Sequence, residues 1–229
     1  MSSLSPPPIA RLANEAFTWI EFPRLLLAMP QLLSKPRANP QRVMVLPGFA
    51  ASDLSTISLR HYLSALGHRV EGWGLGTNNG NGQAAIRMLS ARVRTEYTEH
   101  GDAFVLIGWS MGGIIAREIA RQCPDCISQV ITMGSPIVGG PKYTRVADGF
   151  RRLGYDLDAI EDLLIKRAEM PLEVPTTVIY SKNDGVVAWQ ACLDRENTNV
   201  EHVEVQTTHL GFGFSPEVFQ HIATRLSDI

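Results

Sequence analysis

The chain has 229 residues, 45% of them apolar and 19% charged, with 21 Lys and Arg against 23 Asp and Glu for a net charge of −2. That is the size of one α/β domain with ample material for a core, and too little charge for a disordered chain. The lack of a basic surplus excludes nucleic acid as an expected partner, and no apolar run approaches the roughly 18 residues of a membrane-spanning helix.

Seven of the 14 prolines fall in residues 1–40, whereas all 19 glycines follow that stretch, beginning at Gly48. A boundary near Pro40 is therefore expected, between an N-terminal arm and linker (1–40) and a main domain (41–229). In the arm, Ile9, Leu12, Ala13, Ala16, Phe17 and Ile20 recur at helical spacing, with Arg11, Asn14, Glu15 and Thr18 on the other face. Pro8 suits a first helical position. Pro23 is expected to start a second short helix, which Pro30 ends, and residues 35–40 read as a linker. No basic cluster leads into an apolar stretch and a cleavage site, so no signal peptide is read and a cytoplasmic location is expected. Whether the arm packs on the core, covers a site or makes peripheral membrane contact stays open at this point.

After Pro40, short apolar runs alternate with amphipathic stretches. Strands are expected over 42–46, 69–73, 103–109, 129–133, 175–181 and 200–206, and helices over 55–66, 83–99, 111–122, 186–197 and 216–226. The run 103–109 is nearly all apolar, as a central parallel strand covered on both faces requires. The alternation predicts an α/β fold, a mostly parallel central sheet of about six strands with helices on both faces. Residues 136–174 break the rhythm with a glycine-proline turn and a charged helical stretch, and are expected to form a small cap insertion. Cys123 and Cys126 form a Cys-x-x-Cys, but no second Cys or His cluster completes a metal site. The pair follows a helix instead of opening one, so it reads as two incidental thiols in a reducing compartment. No metal or organic cofactor is expected.

Gly108-Trp109-Ser110-Met111-Gly112 matches Gly-x-Ser-x-Gly between an apolar strand and a helix. A serine on such a tight turn projects its hydroxyl from the sheet's carboxyl edge, and the residues two before and two after it must be small. Ser110 is the candidate nucleophile. It needs a base, and among six histidines His209 alone follows the last expected strand and precedes the last helix. His202 lies within that strand and His221 within that helix, so both read as structural, and His61, His68 and His100 precede the serine. The base needs an acid, and Asp184 directly follows the strand 175–181. Asp156, Asp158 and Asp162 lie in the expected cap and Asp194 late in the expected helix 186–197. Two backbone donors are needed for an oxyanion: Met111, after the nucleophile, and Phe49, in the loop Leu46-Pro47-Gly48-Phe49-Ala50. Apolar neighbours of these positions suggest an apolar pocket, with Trp109, Ile137, Val138, Val187 and Leu210 as substrate-binding candidates. Thr77, Asn78 and Asn79 are expected to give polar contacts at its rim. The first forty residues contribute none of these groups.

With these residues in place, the sequence resembles the α/β-hydrolase superfamily on its lipase and esterase side, from Arg42 to Ile229. The chain order Ser110, Asp184, His209 is that family's order. Leu46-Pro47-Gly48-Phe49 is similar to its oxyanion loop, with Pro47 where histidine is more frequent. Residues 181–187 resemble its acid loop, and His209-Leu210-Gly211 its histidine loop. The resemblance implies the family's fold and a serine hydrolase that cleaves carboxylic esters through an acyl-enzyme on Ser110. It implies a small-molecule or lipid ester as partner, and no cofactor. The same triad serves acyltransferases and thioesterases, and the fold also serves non-catalytic binding modules, so these alternatives stay open here.

Overall fold

The computed structural model describes residues 4–34, 39–170 and 172–227. Positions 35–38 of the expected linker and position 171 of the expected cap lie outside them. Among the described residues, six strands build one parallel sheet: β1 (Arg42–Leu46), β2 (Arg69–Gly72), β3 (Phe104–Trp109), β4 (Ile127–Met133), β5 (Thr176–Tyr180) and β6 (Val200–Glu204). Their order is β2-β1-β3-β4-β5-β6. Each strand lies within two residues of an apolar run expected to form it. All of β3 is buried. Its Val105, Ile107 and Trp109 enter the core on one face and its Phe104 and Leu106 the core on the other. Burial on both faces is why the run is continuous rather than alternating.

The helices are α1 (Ile9–Leu12), α2 (Thr18–Leu33), α3 (Ile57–Ala65), α4 (Gly82–His100), α5 (Met111–Gln122), α6 (Ala147–Arg152), α7 (Leu157–Ala168) and α8 (Pro216–Ser227). On one face of the sheet, Leu25 and Leu32 of α2 pack with Tyr62 of α3 and Phe219 of α8. The Tyr62 and Phe219 rings stack at 5.3 Å. On the other face, Leu89 and Val93 of α4 meet Ile115 and Ile119 of α5. The chain leaves β1 for β2 at the sheet edge, then crosses back to β3 on the other side of β1. The carboxyl ends of β1 and β3 therefore frame the crevice where the connections diverge, the place such sheets bind ligands.

Two expectations are corrected. In the arm, Pro8 is the residue before α1, a 3-10 turn spans Ala13–Phe17, and α2 runs through both Pro23 and Pro30. A helical proline deprives the carbonyl four residues earlier of its donor. Here those carbonyls belong to Trp19 and Leu26, two exposed residues that water can reach. The stretch 186–197 is not a helix either, apart from a 3-10 turn at Trp189–Cys192. The N–H groups of Val186 and Val187 donate to Asp184 Oδ1, and those of Glu196 and Asn197 to Asp194 Oδ1. The Asp194 carboxylate thus takes donors that a helix through Asn197 would turn to its own carbonyls. Asp194 also pairs with the buried Arg117 of α5.

The stretch expected to be a cap holds a 3-10 turn (Gly140–Tyr143), α6 and α7. Ala147, Phe150 and Leu157 form a small core of its own, against which Phe49 and Met111 pack. It is stitched to the main domain beside β5, where Arg145 N–H donates to the Val186 carbonyl and Ala188 N–H to the Tyr143 carbonyl.

Candidate active site

Ser110 sits where β3 becomes α5, with φ 54° and ψ −121°. A non-glycine residue held there costs on the order of 1–3 kcal/mol, so the surroundings must impose it. They do: Ser110 N–H donates to the Met133 carbonyl at 2.8 Å, and its own carbonyl accepts from Gly113 N–H at 3.0 Å. The small flanking residues are required. A Cβ on Gly108 would lie 2.3 Å from Gly113 Cα, and one on Gly112 would lie 2.3 Å from the Leu46 oxygen. The apolar strand, the two glycines and the helix together force the serine out of the sheet.

The loop after β1 lies against this serine. A Cβ built on Gly48 would stand 3.2 Å from Ser110 Cβ, which is how close the two backbones come. Among the described residues, neither Phe49 N–H nor Met111 N–H has an acceptor within the protein. Met111 opens α5, so its N–H has no helical partner. Among the described residues, Ala50 carries the other positive φ outside glycine, 59°. Asn78 holds the loop in that shape. Its carbonyl accepts from Ala50 N–H and its N–H donates to the Ala51 carbonyl, each at 2.8 Å. Its Nδ2 donates to the Pro47 carbonyl at 3.0 Å, and its Oδ1 accepts from Gly80 N–H at 3.2 Å. The side chain expected at a polar rim is instead buried and ties down the loop after β1.

Asp184 and His209 meet as expected from strand order. His209 Nδ1 lies 2.7 Å from Asp184 Oδ2, and both side chains are buried. Asp184 Oδ1 is engaged by the N–H groups of Val186 and Val187 at 2.8 and 2.7 Å, so the carboxylate is oriented from both sides. Burial pushes the His209 pKa down, but the charge and hydrogen bond of Asp184 and the charge of Glu15 outweigh it. The net shift is upward from 6.5. The His209 ring lies 6.3 Å from the ring of Trp109, the neighbour of Ser110.

Glu15 is the group that sequence reasoning missed. None of the expected catalytic groups lies in the first forty residues, and the carboxylate of Glu15 supports the loops that carry two of them. Its Oε1 accepts from Gly185 and His209 N–H, and its Oε2 from Leu210 N–H, all at 2.9 Å. In sequence, Glu15 is one polar residue on an amphipathic face, with no signal to separate it from its solvated neighbours.

A cavity of about 620 Å³ opens over Ser110. Its floor is α5 from Met111 through Ile114 and Ile115 to Glu118 and Gln122. Ile86 and Arg87 of α4 form one side, and Phe150, Tyr155, Ile160, Leu163 and Leu164 form the roof. Of the residues named from sequence, Ser110, Phe49 and Met111 border it. Trp109, Ile137, Val138, Val187 and Leu210 do not. Trp109 and Val187 are buried, and Val187 serves Asp184 through its N–H. Leu210 is half exposed and binds Glu15, while Val138 N–H donates to the Ala191 carbonyl. The apolar wall comes instead from α4, α5 and α7, which had no sequence signal for facing this space.

Two other histidines and the cysteine pair are engaged or shielded within the fold. His68 Nδ1 accepts from Gln41 N–H and His202 Nε2 from Asp194 N–H. Cys123 and Cys126 are buried free thiols, each pushed up by burial and so away from the reactive thiolate. No helix among the described residues is long and apolar enough to cross a membrane.

No protein-family model matches the chain. Over 68 residues it is 31% identical to a pimeloyl-[acyl-carrier protein] methyl ester esterase of Sodalis glossinidius; the match covers 30% of this chain and a quarter of that protein. Among solved structures, the monoacylglycerol lipase of Paleococcus ferrophilus superposes with a TM-score of 0.62 at 16% identity, over 83% of this chain and 96% of that one. An alpha/beta superfamily hydrolase of Oenococcus oeni superposes with a TM-score of 0.58 at 17% identity, over 82% and 92%. At these identities the likeness establishes the fold.

Proposed function

We infer that this chain, which has the α/β-hydrolase fold, is a serine hydrolase of carboxylic esters. The observation that carries the reading is the strained Ser110 between two unpaired N–H groups, on the same sheet edge as a buried His209–Asp184 pair. In the reaction, Ser110 Oγ attacks the ester carbonyl as His209 Nε2 takes its proton. Asp184 holds the Nδ1 proton and stabilises the imidazolium. The oxyanion receives hydrogen bonds from Met111 and Phe49 N–H. His209 then gives its proton to the departing alcohol, leaving the acyl group on Ser110. A water deprotonated by His209 attacks that acyl-enzyme; the bond to Ser110 Oγ then breaks, His209 returns the proton to Oγ, and the acid leaves.

The acyl chain runs along α5 beneath α7. From Ser110 to Glu118 the helix axis spans about 12 Å at roughly 1.5 Å per residue, and Ile86, Ile114, Ile115, Ile160 and Leu164 line this path. That suits a short to medium acyl group. A panel of p-nitrophenyl esters of graded chain length tests the reading, with thioesters and competing alcohols run beside it to detect thioesterase or acyl-transfer activity. Ester hydrolysis that rises to a medium-chain optimum is expected. No turnover of any ester would overturn the reading.

The arm's outer side exposes Trp19, Phe22, Leu26 and Leu27, a contiguous apolar face of the kind that lies on a lipid surface. We read it as meeting the aggregate from which a lipid ester is drawn. Flotation with phosphatidylglycerol vesicles, lost in a Trp19→Ser/Leu27→Ser double variant, is the expected result. Equal flotation of both proteins removes this assignment.

A further inference from the structure

We propose that Glu15 is a positioning residue that sets the distance between the acid and base loops, which makes the N-terminal arm a working part of the active site. The inference rests on reading Ser110, His209 and Asp184 as a triad.

One carboxylate accepts three backbone hydrogen bonds, from the residue after the acid (Gly185), from the base itself (His209) and from the residue after the base (Leu210). Gly185 and His209 share the same oxygen, so the two loops are measured from one atom. Glu15 is buried among these donors and does not line the cavity. It touches no path open to substrate and acts only through the loops.

The arm is seated for this purpose from both sides of Glu15. Arg11 donates to the Lys182 carbonyl at 2.9 Å. Thr18 and Thr208 hydroxyls meet at 2.7 Å, and Thr207 donates to Glu21 at 3.3 Å. Gly185 admits the arm because it has no side chain: a Cβ there would stand 2.4 Å from the Arg11 carbonyl oxygen and 3.0 Å from Glu15 Oε1. A second tie between the loops, Ser181 Oγ–H to the Thr207 carbonyl at 2.5 Å, lies at the far end of the same junction. It fixes the loop stems, and Asp184 Oδ2 to His209 Nδ1 joins the loops through their side chains at 2.7 Å; Glu15 holds the Gly185 and His209 backbone from which that pair projects.

The test uses the full chain with Glu15→Gln and Glu15→Ala. The glutamine variant keeps one acceptor oxygen but turns an N–H toward a backbone donor, so it is the milder change and guards against misfolding. Steady-state hydrolysis of a p-nitrophenyl ester is read together with amide hydrogen exchange by mass spectrometry. Glu15→Ala is expected to lower kcat about 10–100-fold, the scale of a misplaced catalytic group, with KM within about threefold. Glu15→Gln falls between it and the wild type. Exchange should rise in segments 183–187 and 207–213 while β3 and α5 stay protected. Unchanged exchange in those two segments overturns the proposal, as does a kcat within about twofold of wild type in Glu15→Ala. A uniform rise across the sheet in both variants also overturns it, since Glu15 would then serve only global stability. If the wild type hydrolyses no ester, the functional reading fails, and the exchange pattern still decides whether Glu15 spaces the loops.

Discussion

Asp184 Oδ2 and His209 Nδ1 lie 2.7 Å apart in a site buried from solvent, and the pKa of the imidazole is shifted upward from 6.5 despite its burial. The base works only when neutral. The acid limb of kcat/KM for ester hydrolysis is therefore expected at an apparent pKa above 6.5. In Asp184→Asn the charge of Asp184 is gone and burial gains weight, so the limb moves to lower pH. There kcat should also fall by about 10⁴-fold, because the tautomer is no longer fixed. The linked stability has a definite sign. A histidine pKa raised in the folded state contributes stability below the unfolded value, and this is lost as pH rises through the folded value. Thermal melts should show Asp184→Asn losing more, relative to wild type, near pH 5 than near pH 9. An acid limb in the wild type below 6.5 contradicts the assignment.

Asn78 ties the loop after β1, proposed to carry an oxyanion donor, by Nδ2 to the Pro47 carbonyl and Oδ1 to Gly80 N–H. Asn78→Ala leaves two buried polar groups without partners, at a cost of about 1–3 kcal/mol each in the worst case. It also frees Phe49 N–H from its position. A fall in kcat of about 10-fold or more is expected, with the acid limb of the pH profile unmoved. Kinetics across pH separate this from an effect on His209.

Ile114 borders the cavity one turn beyond Ser110. Ile114→Trp is expected to block the path along α5. Turnover of acetate and propionate esters should persist while that of octanoate falls by about 10-fold or more, a few methylenes' worth of lost apolar burial. The ester panel reads the shift directly.

Gly112 approaches β1 so closely that an added Cβ would stand 2.3 Å from the Leu46 oxygen. Gly112→Ala must push α5 off the sheet, at about 1–3 kcal/mol or more. A lower melting temperature is expected, together with a loss of activity larger than stability alone explains, because the helix start carries Met111 N–H.

Much of this was legible because the physics is local. The strand β3 and the helix α5 follow from an apolar run and an amphipathic stretch. The Ser110 turn follows from glycines that a backbone clash demands at positions 108 and 112. The meeting of Asp184 and His209 follows from strand order, since a parallel sheet delivers every carboxyl end to one edge. What was not legible depends on tertiary contact. Pro23 and Pro30 look like helix ends until solvent is seen to reach the carbonyls of Trp19 and Leu26. Residues 186–197 have helical spacing, but Asp194 captures the donors of Glu196 and Asn197 at its far end. The cavity wall on α7 and the carboxylate of Glu15 are set by how the insertion and the arm dock, which no periodicity within either segment encodes.

The most direct measurement is intact-mass analysis after reaction with a fluorophosphonate probe, followed by peptide mapping and run beside p-nitrophenyl ester hydrolysis, for the wild type and Ser110→Ala. The reading of Ser110 as an activated nucleophile predicts one phosphonyl adduct on Ser110 and loss of hydrolysis with labelling. It also predicts neither adduct nor turnover above background in folded Ser110→Ala. An unlabelled Ser110, an adduct at another residue, or undiminished turnover in Ser110→Ala would contradict it.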